Sequence, residues 1–442
     1  MIPSRNPKAK INNRRWMRTV IPANAGITGF STMLPLYVLQ VGGTVVEVAL
    51  LATIYNLVLI PASVFWGAMT DKLSGRRFFF YVSYAGLFGT FVAMFLLSNL
   101  LVLAVLYGVL AFVIVANSAA SNLLVMETAD KRSWVSSYAT LSLTANLGSI
   151  VGLVVGLLWS SVLPLSAFLL FCAASTAVSA ILTYFLIIEP VVTLETIHLT
   201  LHPLGLLPRL FHGVSNALNN ITGLVLLPPS PRDLVRLVRA TRAGVMQGRA
   251  LLFISTFLFM VGTALMNTSF TPYLVTYGVL NNEVFAVVLV NALIQTGAYR
   301  SIQFFATKLG EIKMGSYAIV ARTGIYLLTA FSVLLLRDTA LFVFATIIYA
   351  CIGVVFALWN SSTSVILFSS LGPEKQGGLL GGYSALSSFG LVIGSLFSGY
   401  LSSFFGYSLT FTLAAFVMLS SFFVLEASMK GLGIEKNETQ PS

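Results

Sequence analysis

Charged residues are sparse along this chain, and the stretches between them set its architecture. Residues 19–46 and 48–70 carry no Asp, Glu, Lys or Arg, and neither do 78–126, 133–188, 250–282, 284–299, 323–336, 339–373 and 376–425. A helix that crosses a bilayer needs about 20 apolar residues, so the runs of 49, 56 and 50 residues at 78–126, 133–188 and 376–425 each hold two such helices. Turn residues at Leu97-Ser98-Asn99 and at 160–164 divide two of them. The pattern predicts spans at 17–40, 44–69, 78–97, 100–126, 134–159 and 163–188. After a polar loop of about 60 residues come six more, at 250–277, 282–306, 315–336, 339–368, 376–403 and 407–428.

Composition agrees. Hydrophobic residues make up 57% and charged residues 9%, against about 25% charged in a soluble domain, so there is too little charge to coat a surface facing water. Lipid is the solvent that suits this chain. The segment that leads into and starts the first span carries six basic residues (Arg5, Lys8, Lys10, Arg14, Arg15, Arg18), and the span is too long and too interrupted by polar residues for a signal peptide. With both termini in the cytoplasm, 22 of the 25 Lys and Arg fall on that side; Arg337 lies outside, and Arg300 and Arg322 lie within spans. Basic loops stay cytoplasmic, so the expectation is a multi-pass plasma-membrane protein with both ends inside. Its basic balance then reports topology and an anionic inner leaflet rather than nucleic acid. Cys172 and Cys351 sit in apolar spans and read as buried thiols, with no disulfide framework or metal site.

The chain repeats itself. Pro35-Leu36-Tyr37-Val38, Gly42 and Glu47 return as Pro272-Tyr273-Leu274-Val275, Gly278 and Glu283, and Lys72-Leu73 returns as Lys308-Leu309. Gly148, Gly152 and Gly156 in the fifth span are echoed by Gly390, Gly394 and Ser398 in the eleventh. The expected fold is an all-α membrane protein, with twelve transmembrane helices in two pseudo-symmetric six-helix halves, 1–188 and 250–442. A cytoplasmic loop at 189–249 joins them. Such repeats place a substrate between the halves near the midplane.

Between spans two and three runs Gly67-Ala-Met-Thr-Asp71-Lys72-Leu-Ser-Gly75-Arg76-Arg77. It resembles the signature loop of the major facilitator superfamily, with four residues from Asp71 to Gly75 where the family pattern has three. The resemblance covers essentially the whole chain. It implies a transporter that works by alternating access, with a small-molecule substrate, no cofactor and a monomeric state. From the residues themselves, Gly67 would allow close helix approach, and Asp71 suits a helix N-terminus. Arg76 and Arg77 would pair with Glu127 or Asp130. The resemblance implies that this network holds the cytoplasmic side closed in the outward-facing state. The plainer reading is a hydrated basic loop that sets topology.

Polar side chains inside spans cost energy unless they face the bundle interior or water. Asn24, Thr28 and Ser31 share one face of span one. Span four carries Asn117, Ser121 and Asn122, and span seven carries Thr263, Asn267 and Thr271. Span eight carries Asn291, Gln295 and Tyr299, and span ten Asn360, Ser361 and Ser364. The resemblance implies that spans one, four, seven and ten line the central cavity; the alternative is hydrogen-bonding glue between helices. Arg300 and Arg322 are expected within spans eight and nine. Arg322 is read as snorkelling to the cytoplasmic interface. Arg300, if it faces inward, would clamp a carboxylate or phosphate, but at 100° per residue it lies about 180° from Asn291 and about 140° from Gln295. The two sets therefore cannot share one cavity.

No Asp or Glu lies mid-span and all three histidines (His198, His202, His212) are in the central loop, which disfavours proton coupling through a buried acid. In that loop Arg232, Arg236 and Arg239 recur on one face of a basic amphipathic helix expected on the inner leaflet. The Gly stripes read as structural. No paired-Asp, HExxH or Walker A motif is present, so an enzyme is not expected. The leading expectation is a transporter of a small organic solute, with efflux of a lipophilic compound as its form. An organic-anion carrier using Arg300 and a non-transporting sensor of the same fold are the alternatives.

Overall fold

The computed structural model describes residues 12–73, 75–97, 99–128, 134–187, 244–310, 313–370 and 376–432. A 3-10 helix at Asn12–Thr19 leads into α1 (Val20–Gln40), followed by α2 (Val45–Lys72), α3 (Arg76–Leu96), α4 (Leu100–Thr128), α5 (Trp134–Val162) and α6 (Phe168–Leu186). The second half is α7 (Gly244–Thr276), α8 (Asn281–Arg300), α9 (Lys313–Leu335) and α10 (Asp338–Ser370), with a short helix at Ile302–Leu309 after α8. The last stretch, Gln376–Leu432, is broken at Gly406, whose φ of 83° suits glycine alone. It therefore forms two helices, α11 (376–405) and α12 (407–432). The central loop at 189–243, with its histidines and its Arg232, Arg236 and Arg239 face, lies outside the described residues, as does Asp130.

Nine stretches among the described residues are long and apolar enough to cross a membrane, and Leu386–Lys430 covers both α11 and α12. The two helices that fall short are α1 and α8, which carry the stripes Asn24/Thr28/Ser31 and Asn291/Gln295. Their polarity is thus a property of particular faces in helices that the bundle shelters. Of the two cysteines, Cys172 is buried as expected, but Cys351 is exposed, because it lies on the side of α10 turned away from the bundle.

The sequence repeat is a structural repeat. After α1, Gly43 N–H donates to Val38 O (2.9 Å) and Gly42 N–H to Leu39 O (3.2 Å). After α7, Val279 N–H donates to Leu274 O (3.0 Å) and Gly278 N–H to Val275 O (3.2 Å). Both are Schellman turns, which need a left-handed residue at the same place; Gly42 has φ 89° and Gly278 φ 95°. Three residues into the next helix, Glu47 accepts from Thr44 N–H (2.5 Å) and Glu283 from Leu280 N–H (2.9 Å), each closing a helix start. The repeated Glu residues therefore act as caps.

Within each half, one helix pair is pulled to near backbone contact. A methyl group at Gly148 or Gly152 of α5 would run into Ile21 O or Ala25 O of α1. The corresponding α11 glycines meet α7: a methyl at Gly390 would lie 2.7 Å from Phe257 O, and one at Gly394 would collide with Val261 O. Lipid gives apolar side chains no drive to pair, so small residues and hydroxyl bonds must hold such contacts. Ser398 Oγ donates to Leu265 O (2.7 Å), and Ser255 Oγ donates to Ser421 O (2.9 Å) from α7 to α12.

This packing makes a direct prediction. Gly152→Ala places a methyl against the Ala25 carbonyl and should cost about 1–3 kcal/mol, lowering the melting temperature in detergent. Gly89→Ala, which has nothing within 4 Å, should leave it unchanged. Equal effects of the two would refute the tight seam.

Candidate functional site: polar stripes and a buried arginine

The bundle has a near face, where α1 begins and α12 ends, and a far face, where α1 turns into α2. The two halves join through α2 with α11 and α5 with α8, toward the far face. A methyl at Gly399 of α11 would collide with Ala49 Cβ and sit 3.2 Å from Val45 O of α2. About one turn deeper, the Thr53 and Ser395 hydroxyls are 3.1 Å apart. On the other side, Phe285 of α8 fills the place a side chain at Gly156 would take and packs edge-on to Phe168 at 6.0 Å. Gly156, read from sequence as part of one seam with Gly148 and Gly152, in fact touches the opposite half.

The polar residues of the first half are mostly engaged within it. Asn24 Nδ2 donates to Val20 O (2.9 Å), one turn back in α1. The Thr28 and Ser149 hydroxyls meet at 2.8 Å, binding α1 to α5. Asn117 is buried and its Oδ1 accepts from Ser121 Oγ (3.1 Å) and, at 3.5 Å, from Tyr84 of α3. Ser31 of α1 is exposed and bonds its own turn at Thr28 O (2.9 Å). Asn122 is exposed. Close by is an aromatic group that the sequence reading did not single out: Tyr55 stacks on Tyr107 (4.7 Å), and Phe30 packs edge-on to Tyr107 (5.7 Å) and Phe91 (5.1 Å).

In the second half, Asn267 of α7 is exposed about a turn before Pro272, as Ser31 is before Pro35. Exposed polar groups in mid-span belong toward water between the halves rather than toward lipid. Thr271 and Gln295 are half-buried, while Thr263 is buried with no partner for its hydroxyl among the described residues. Asn291 Nδ2 donates to Tyr349 O (2.6 Å), joining α8 to α10, and Asn360 Nδ2 donates to the Tyr299 hydroxyl (3.2 Å). Ser364 Oγ bonds back to Asn360 O (2.7 Å), and Ser361 is half-buried.

The two intramembrane arginines differ from their sequence reading. Span eight does not run to 306; α8 ends at Arg300, and Ser301 (φ −93°, ψ 6°) leaves the helix before Ile302–Leu309. Arg300 is exposed at that end, where its charge complements the helix dipole. Arg322 does not snorkel. It is the tenth of 23 residues in α9 and 1% exposed, the one charged side chain buried among the described residues. Its guanidinium carbon lies 4.9 Å from the Phe259 ring centre, 5.5 Å from Tyr326 and 5.8 Å from Phe356. Nε donates to Tyr326 Oη at 2.7 Å, and Nη1 has no acceptor among the described residues. Phe259 is itself stacked flat on Trp359, 3.6 Å and 5° apart. Aromatic faces attract a guanidinium by about 2 kcal/mol or more when dry, which holds the side chain inward against the pull of the interface. Tyr326, four residues after Arg322, is the one local hint; Phe259 and Phe356 come from other helices.

At the near face, Arg76 Nη1 donates to Thr70 O (2.7 Å) and Leu73 O (3.1 Å). It thereby caps the carboxyl end of α2, and Arg77 Nε donates to Ile187 O beyond α6. Asp71 and Lys72 close α2 and Gly75 precedes α3; Glu127 is in the last turn of α4. The side chains of Asp71, Lys72 and Glu127 lie outside the described set. Gly67 was expected in a close helix contact, but a methyl there would meet nothing within 4 Å among the described residues.

Two repeated six-helix halves joined toward one face, with polar side chains set into their spans, are a multi-pass membrane transporter fold. The chain belongs to the major facilitator superfamily, whose family model matches residues 19–381. Among solved structures it resembles the crystal structure of a mutant of nucleoside transporter NupG, with a TM-score of 0.68 and 15% identity over 95% of this chain and 99% of that one. It also resembles the human organic anion transporter MFSD10 (TETRAN), with a TM-score of 0.62 and 16% identity over 95% and 100%. Comparison with curated protein sequences gave no match.

Asn291 and Asn267 separate glue from lining. Asn291→Leu should lower the melting temperature by loss of about 0.5–1.5 kcal/mol, because it removes the bond to Tyr349. Asn267→Leu should leave stability unchanged. A large stability loss at Asn267 would place it in a packed interface instead.

Proposed function

We propose that this chain moves a small organic solute across the membrane by alternating access. Residues 1–188 and 250–442 rock as two bodies joined by 189–249, with the near face cytoplasmic. The observation that carries this reading is the closure of the far face between α2 and α11 by small side chains: Gly399 against Ala49 and Thr53 against Ser395. Contacts this small part without large desolvation and re-form in the same register. The open space at Gly67 among the described residues fits a bundle whose near side stands apart while its far side is shut. The Gly67, Asp71, Lys72, Gly75, Arg76, Arg77 and Glu127 loop is then the near-side latch of the alternate state. Asn24, Thr28, Ser31, Asn117, Ser121, Asn267, Thr271, Asn291, Gln295 and Asn360 line or brace the path.

One structural neighbour is a nucleoside transporter and another an organic anion transporter, so this fold accommodates both kinds of cargo and the side chains decide between them. Arg300, exposed at the end of α8, is placed to meet a solute at the near entrance rather than at the centre.

The test is a reversible lock. Thr53→Cys with Ser395→Cys, in a protein whose Cys172 and Cys351 are replaced by Ala, brings two thiols to sites whose hydroxyls are 3.1 Å apart, within disulfide reach. In proteoliposomes screened for flux of nucleosides, organic anions and lipophilic cations, oxidation should abolish the flux and dithiothreitol should restore it. Flux that continues through the cross-linked protein would rule out rocking, and no flux of any solute would rule out transport.

A further inference from the structure

Arg322 is a cation whose surroundings are incomplete. Arginine stays protonated in proteins, so burial cannot be relieved by losing the charge, and a buried charge demands a partner. Among the described residues, no carboxylate contacts it. Its partners are one phenol oxygen and three ring faces, and rings cannot accept the Nη1 hydrogens in the plane of the guanidinium. Nη1 is buried and unpaired among the described residues. The hydroxyl of Thr263, one turn beyond Phe259 on the same face of α7, is buried and unpaired as well.

The enclosure has a soft side. Phe259 and Tyr326 are fully buried and Trp359 is 3% exposed, whereas Phe356 is half-buried. One turn along α10 from Phe356 is Asn360, also half-buried, in its bond to Tyr299. A polar rim thus adjoins the one yielding ring. We propose that Arg322 binds the carboxylate of an organic monoanion, which enters past Phe356 from the rim at Asn360 and Tyr299. A carboxylate offers the planar, two-oxygen edge that a guanidinium fork pairs with. A single charge matches a site where Arg322 is the one buried cation among the described residues; a phosphate dianion would leave a charge uncompensated in a buried site. The solute's apolar body would lie against Phe356 and Trp359. This inference rests on the transport reading and names its substrate class.

The experiment titrates the purified full-length protein in detergent with benzoate, benzamide and inorganic phosphate, following the melting temperature. Benzoate alone should raise it, and the apparent Kd for benzoate should weaken about tenfold or more in Arg322→Gln. Arg322→Lys keeps the charge without the fork and should give intermediate weakening, which preserves the test if the Gln variant does not fold. Lys430→Gln, an exposed charge loss at the end of α12, should bind benzoate as wild type does. An unchanged benzoate shift in Arg322→Gln, no benzoate shift in wild type, or equal stabilisation by benzamide or phosphate would each overturn the proposal. So would loss of the shift in Arg300→Gln with the shift in Arg322→Gln intact. If proteoliposomes carry a neutral solute while benzoate has no effect, the anion assignment falls and transport stands; absence of all flux removes transport itself.

Discussion

In a bilayer, apolar side chains gain nothing by leaving lipid for one another, so helices associate where their backbones can come close enough for dispersion and hydroxyl bonds to accumulate. Everything else in this bundle depends on where that approach is allowed. Gly148 and Gly152 let α5 lie on the carbonyls of Ile21 and Ala25, and Gly390 and Gly394 let α11 lie on those of Phe257 and Val261. The repeat then breaks in an informative place. Ser398, the counterpart of Gly156, stays in its own seam by bonding Leu265 O, and Gly399 beside it turns to Ala49 of the other half. Gly156 itself receives Phe285 from across the interface. The same four-residue spacing thus runs from fixed packing into the contact between the halves, and one residue's difference in phase assigns each position to one or the other.

Polar residues follow a second economy. Many of those in the spans satisfy themselves locally: Asn24 on Val20 O, Ser31 on Thr28 O, Thr53 on Ala49 O, Ser364 on Asn360 O. A side chain bonded to its own preceding turn is protected when the neighbouring helix moves away, because its partner moves with it. Thr53 shows the value of this arrangement, since it also reaches Ser395 across the halves and keeps the Ala49 bond if that contact opens. Asn291 and Asn117 are different. Their partners include groups on other helices of the same half, so they stiffen each half as a unit.

The span count was legible because it follows from one length, the thickness of lipid, set against uninterrupted apolar sequence. The repeat was legible because left-handed turn positions and close backbone contacts admit so few residues that Gly42 and Gly278, or Gly148 and Gly390, must look alike. Arg322 was not legible. Whether an arginine ten residues into a helix reaches for the interface or inward depends on which rings the neighbouring helices present, and Phe259 and Phe356 are 63 residues before and 34 residues after it in the chain. The end of α8 at Arg300 was not legible for a local reason, since nothing in Tyr299-Arg300-Ser301-Ile302 marks a helix end as proline or glycine would. Gly67 shows the limit of reading a glycine alone, because a glycine permits close contact without requiring it.

Arg322 and the rings around it, Phe259, Tyr326 and Phe356, all belong to the second half, so the box is built within that half. The far-face contacts, by contrast, are shared between halves. One helix touches both systems: α7 supplies Phe259 to the box, and its carbonyls at Phe257 and Val261 form the bed on which α11 rests. From there α11 carries Ser395 and Gly399 to α2. Contiguity of this kind is not yet coupling, which requires that the two arrangements of the bundle bias the same element. The glycine seam supplies the physical condition. With no side chains at Gly390 and Gly394 to absorb a displacement, a tilt of α11 that parts Gly399 from Ala49 must slide along the α7 backbone or carry α7 with it. Only the second motion shifts Phe259 against Arg322, so the stiffness of the Gly390–Gly394 contact decides whether opening the far face is felt at the buried charge.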